Sequence, residues 1–133
     1  MEFEDAADPI KWLRIAEKDL IRVDRALDDD DAEAAGFWLQ QAVEKLLKGF
    51  LLSKGWKLKK THDLESLVVD AVAYDRALDE YHDVCEKITN YYVLQRYPPP
   101  PGGDLTVAEV RQALGDVRGL VETLRRQITR QPR

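Results

Sequence analysis

Residues 35–52, AGFWLQQAVEKLLKGFLL, decide the fold. At about 100° per residue this stretch reads as one long helix. Ala35, Leu39, Ala42, Val43, Leu46, Leu47 and Phe50 fall on one side as a wide apolar stripe. Gln41, Glu44, Lys45 and Lys48 fall on the other side. Phe37 and Leu51 flank those polar residues, and Leu52 lies on that side too. A helix with a full core face and a partly apolar back has two neighbours, and the rest of the chain reads as packing around it.

Upstream, Leu13, Ala16, Leu20, Val23 and Leu27 recur at spacings of 3, 4, 3 and 4, the seam of a bundle helix over 9–27 that Pro9 suits as a first-turn residue. The aspartates at 28–31 end it, because acidic groups suit the start of a helix better than its end. Asp30 with Glu33 has capping-box spacing and opens the central helix, 31–54, which Gly55 stops. A basic loop follows, with Lys54, Lys57, Lys59 and Lys60. Thr61 or His62 then caps a third helix over 62–73, with a face of Leu64, Leu67, Val68, Ala71 and Val72. Leu78, Tyr81, Cys85, Ile88 and Tyr92 predict a fourth over 76–94. Four prolines and two glycines at 98–103 interrupt the helical pattern. Thr106 with Glu109 opens a fifth helix over 107–130, whose face runs from Val110 through Val117 to Ile128. No strand pattern appears, and the expected architecture is all-α, an antiparallel up-and-down bundle of four to five helices in one domain spanning 1–133, with 1–8 frayed.

Totals narrow the function. An apolar content of 44% suits a globular domain, and a formal charge of −5 gives no overall pull on nucleic acid. The single cysteine, Cys85, allows no internal disulfide and reads as a small buried residue; no Cys/His metal spacing exists, so no metal site and no cofactor is expected. Residues 1–15 lack an apolar signal core, and no run reaches the roughly 20 apolar residues that span a bilayer. A soluble, cytoplasmic protein without membrane contact is the expectation.

Few residues carry chemistry. Glu44 and Glu86 read as solvated carboxylates. Arg96 follows Tyr92 by four residues and stands beside a proline-fixed turn, with the geometry to hold a phosphate bidentately. Lys45 and Lys48 add charge if the central helix packs nearby, and Asn90, Tyr91 and Tyr97 offer hydrogen bonds or stacking. The plainer alternative is an Arg96 paired with a carboxylate or a helix end.

Four groups of residues, in order, resemble the HEPN family (higher eukaryotes and prokaryotes nucleotide-binding domain). They are Trp12-Leu13 with Ala16, Asp19 and Leu20; Phe37 with Gln40-Gln41-Ala42, Glu44-Lys45 and Leu47-Lys48; His62-Asp63-Leu64; and Tyr92 with Arg96-Tyr97-Pro98. The resemblance spans about 10–128. It implies a helical bundle, commonly a homodimer, and often a minimal nucleotidyltransferase as partner in a toxin–antitoxin pair. Many members are ribonucleases that place a histidine after the motif arginine, with four to six residues between the two. Here positions 101–103 are proline and two glycines, and no histidine follows His82. The resemblance therefore implies the Arg-Tyr-Pro branch, a nucleotide- or partner-binding protein whose Arg96, Tyr97, Asn90, Lys45 and Lys48 meet the ligand. Phe37, Gln41, Glu44 and Leu51 would meet a partner. Two alternatives stand: a divergent ribonuclease holding the scissile phosphate on Arg96 with His62 or His82 as base, and a purely structural or regulatory module.

Overall fold

A computed structural model of the chain describes residues 7–91 and 104–130. Among them lie six α-helices and one 3-10 helix, with no strand. Helix α1 spans Pro9–Asp28, α2 Ala32–Ser53, α3 Leu64–Val72, then a 3-10 helix Arg76–Tyr81, α4 His82–Thr89, α5 Val107–Asp116 and α6 Arg118–Thr129.

The expected start signals are local and mostly hold. Pro9 opens α1, whose N-cap Asp8 accepts from the Ile10 amide at 3.0 Å. Thr106 caps α5, accepting from the Glu109 amide at 3.1 Å while its hydroxyl donates to Glu109 Oε1 at 3.0 Å. Two caps shift. Asp31, not Asp30, caps α2, and Asp63, not Thr61 or His62, caps α3. Asp30 is used for the preceding turn instead. Its φ of 57° lets the amides of residues 30 and 31 turn back to the Leu27 and Ala26 carbonyls, a Schellman end for α1.

Two expected helices are each divided. The fourth is a 3-10 helix followed by α4, because Leu78 and Tyr81, three apart, share a face in a 3-10 turn as well as in an α-helix. The fifth pauses at Val117, just after Gly115 and Asp116, but the amide ladder runs on through Val117 to Ala113 and Val121 to Val117. Its apolar face stays continuous: Val110, Ala113, Leu114, Val117, Val121, Leu124 and Ile128 are all buried.

Helix α2 is the hub. It touches α1, α3, α4, α5 and α6, and the face that carries Phe37, Trp38, Gln41 and Lys45 stays partly open. Its stripe from Ala35 to Phe50 is fully buried, each large apolar side chain contributing on the order of 1.5–3 kcal/mol. Close approach requires Gly36, where an added Cβ would lie 2.7 Å from Leu105 Cδ2 and 3.2 Å from the Tyr91 ring. No helix is long and apolar enough to cross a membrane among the described residues.

Candidate functional site

Much of the polar side of α2 faces protein rather than water. Asp19, Gln40, Glu44 and Lys48 are buried to within a few per cent of completely. A buried charge persists only when it is paired and hydrogen-bonded, and these are. Asp19, on α1, accepts from Lys45 Nζ and from Arg22 Nη1, both at 2.6 Å. Arg22 in turn lies over the Trp38 ring at 4.7 Å.

The second cluster is larger. One Glu44 oxygen receives Lys48 Nζ at 3.0 Å, and the other receives Gln40 Nε2 at 3.1 Å and His62 Nδ1 at 2.9 Å. A carboxylate oxygen accepts, so Nδ1 of His62 is the donor in this contact. Gln40 Nε2 also donates to the His62 carbonyl at 2.8 Å, and the Thr89 hydroxyl donates to the same oxygen at 3.2 Å. Gln41 donates to Gln40 Oε1 at 2.7 Å, and the Lys48 ammonium stands 5.7 Å from the Trp12 ring centre. The seam thus joins α1, α2, the start of α3 and the end of α4.

Several expectations change here. Glu44 is neither solvated nor aimed at a partner; it is the buried acceptor of three donors. Lys48 is committed to it, and Lys45 to Asp19. Neither lysine has its charge in reserve for a ligand. Leu51 is buried inside the subunit, so the chain's own helices cover it rather than a second copy. Phe37 and Gln41 are half-buried, Phe37 edge-on to Trp38 at 5.1 Å. Asn90 is exposed, its amide 3.5 Å from the Glu86 carbonyl. Arg96, Tyr97, and the last predicted residues of the fourth helix lie outside the described residues.

His82 sits 3.5 Å from Asp83 and 3.3 Å from Glu65, and its pKa is raised, first by the Asp83 contact. With Glu86 it forms the group among the described residues whose ligand atoms lie within 4.8 Å of one another, but Asp83 and Glu86 are exposed, and surface ion pairing accounts for the arrangement. Burial pushes the Cys85 thiol up to about 12, so it is a packing residue and not a nucleophile. Tyr91 is buried with an unpartnered hydroxyl and a raised pKa, first from burial and then from Glu109.

Sequence reasoning missed Asp19 and Gln40 as members of the seam, though both stand in the quoted motif residues. The available signal was a charged residue amid an apolar spacing of 3 and 4: Asp19 sits beside Leu20 within the α1 seam.

The comparisons with known proteins agree with this fold. The family model for the HEPN domain matches residues 10–127. The crystal structure of TT1696 from Thermus thermophilus is similar in fold, with a TM-score of 0.79 and 25% identity over 90% of this chain and 97% of that one. No curated protein matches.

Proposed function

The chain belongs to the HEPN domain family, and from that premise we propose that it is a non-catalytic binding module, the companion of a minimal nucleotidyltransferase in a toxin–antitoxin-type pair. It works as a homodimer. Arg96 and Tyr97 make the contact with the partner or with its nucleotide. The observation that carries this reading is the histidine inventory. No histidine follows Arg96. Ribonuclease chemistry at a motif arginine needs an imidazole placed for proton transfer near neutral pH.

Calorimetry tests it. Titration with the product of a neighbouring nucleotidyltransferase gene, and with ATP, should give binding to at least one that Arg96→Ala weakens by tenfold or more, about 1.4 kcal/mol. Silence with both, or full-strength binding by Arg96→Ala, would remove the reading. Light scattering should return a dimer, with half-buried Phe37 and Gln41 at its contact.

One observation favours a second reading, a divergent ribonuclease. His62 has 54% of its side chain exposed while buried Glu44 fixes its Nδ1, the arrangement of an oriented general base. Purified protein incubated with total RNA decides it: cleavage that vanishes in both Arg96→Ala and His62→Ala supports this reading, and cleavage that survives either substitution is contamination.

A further inference from the structure

The loop after α2 carries Lys54, Lys57, Lys59 and Lys60, all exposed, in a chain of formal charge −5. Nothing in the proposed function uses them. The loop's course is set at its start. Gly55, at φ 87°, lets its own amide turn back to the Leu52 carbonyl and the Trp56 amide to the Leu51 carbonyl, each at 3.1 Å. Trp56 is thereby laid against α3, where its indole N–H donates to Asp70 Oδ2 at 3.0 Å. The Lys59 ammonium reaches the same oxygen at 3.1 Å and stands 6.0 Å from the indole centre. Asp70, which also lines the site, is answered by these two donors, and Lys59 keeps 56% of its side chain exposed.

Beside Trp56, two of the three large apolar side chains exposed among the described residues come together. Val69 is 57% exposed and Tyr74 48%. The Tyr74 ring is held edge-on by Phe50, with centroids 6.5 Å apart. These side chains wall an open groove of about 470 Å³, with Lys57 and Lys59 on its rim.

We propose that this groove binds single-stranded nucleic acid without sequence preference, bases stacking on Trp56 and Tyr74 and phosphates meeting Lys57, Lys59 and Lys60. Each element has a physical reason. The exposed Tyr74 ring and the half-buried Trp56 ring gain from unstacked bases, which a duplex does not offer. Lysines bind phosphate as point charges and need no fixed orientation. An acidic peptide would satisfy the lysines but has no ring for Trp56 and Tyr74. The groove is lined by none of the residues assigned to the function proposed above, and its test does not depend on that function.

The test is fluorescence anisotropy with the full chain and a labelled oligouridine of about 12 nucleotides. Binding at low salt should weaken as salt rises, with a log–log slope near −2 for about three phosphates on single strands. Tyr74→Ala should weaken it about fivefold or more, and the pair Lys57→Glu with Lys60→Glu about tenfold or more. The pair Arg111→Glu with Arg118→Glu, an equal charge change on α5 and α6, should bind as the parent does. Circular dichroism melting of each variant separates lost binding from lost fold. No binding at low salt, parental binding by either groove variant, an equal loss in the charge-matched pair, or equal displacement by polyglutamate overturns the proposal.

Discussion

Two sets of lysines lie a few residues apart in the chain and live in different physical worlds. Lys45 and Lys48, on α2, face carboxylates at 2.6 and 3.0 Å inside the bundle. Lys54, Lys57, Lys59 and Lys60, on the loop, are exposed, and of these Lys59 pairs with Asp70. The first set reads from the sequence as part of the ligand surface and the second only as a basic loop. The structure commits the first to carboxylates inside the bundle and leaves the second exposed. A lysine on the hub helix of a bundle meets the side chains of neighbouring helices, whereas a lysine on a loop keeps its charge available for something outside. Charge in a sequence marks a surface only where the element carrying it has one.

The strongest way to break this contrast is to remove a buried acceptor. Glu44→Ala strands the Lys48 ammonium among apolar neighbours and frees Gln40 and His62 from their partner. We expect a loss of about 3 kcal/mol in urea unfolding, whereas Lys57→Ala should stay within about 0.5 kcal/mol of the parent. Comparable losses for the two would erase the distinction. Asp19→Ala sharpens it. Asp19 is fully buried, but Arg22 keeps 44% and Lys45 18% of its side chain exposed. Both cations can turn to water, so the expected cost is smaller, about 2 kcal/mol in the same unfolding series.

How much of this the sequence held depends on the range of the interaction. The α2 stripe, the Pro9 start and the Thr106–Glu109 cap follow from residues within a turn or two of each other, and the residues alone place them. The helix breaks at His82 and Val117 were less visible, because an apolar spacing of three or four continues across both. The seam was not legible as a seam. Its partners are separated by 26 residues for Lys45 and Asp19 and by 18 for His62 and Glu44. A wheel gives the direction of a side chain but not what stands there. The groove hid for the same reason: Trp56 reads as loop until Asp70, 14 residues on, is seen to hold it.

The loop has its own anchor, and it is backbone rather than charge. Gly55→Ala meets no atom within 4 Å, so its whole cost is the left-handed φ of 87°. We expect about 1–2 kcal/mol in thermal unfolding, accompanied by weaker oligouridine binding as Trp56 loses its placement. Unchanged stability would mean that the turn does not set the loop. The smallest effect belongs to His82, the surface counterpart of His62. Its pKa is raised above the ordinary value by Asp83 and Glu65, against the opposing effect of burial. Its contribution to stability is therefore complete below the unfolded value of about 6.5 and is lost as pH rises through the folded value. The difference in melting temperature between parent and His82→Asn should shrink on going from mildly acidic to alkaline buffer. The contacts are exposed and screened, so the change should be slight and should diminish further in high salt.

The central claim is that α2 spends its charged residues inside the molecule. A double-mutant cycle on Glu44→Ala and Lys48→Ala, read by urea unfolding, tests it most directly. Two buried partners held at 3.0 Å should couple by about 1–3 kcal/mol, the double variant being less damaged than the sum of the single ones. Additive effects within about 0.5 kcal/mol would contradict it, and would return both side chains to the solvent side of the helix.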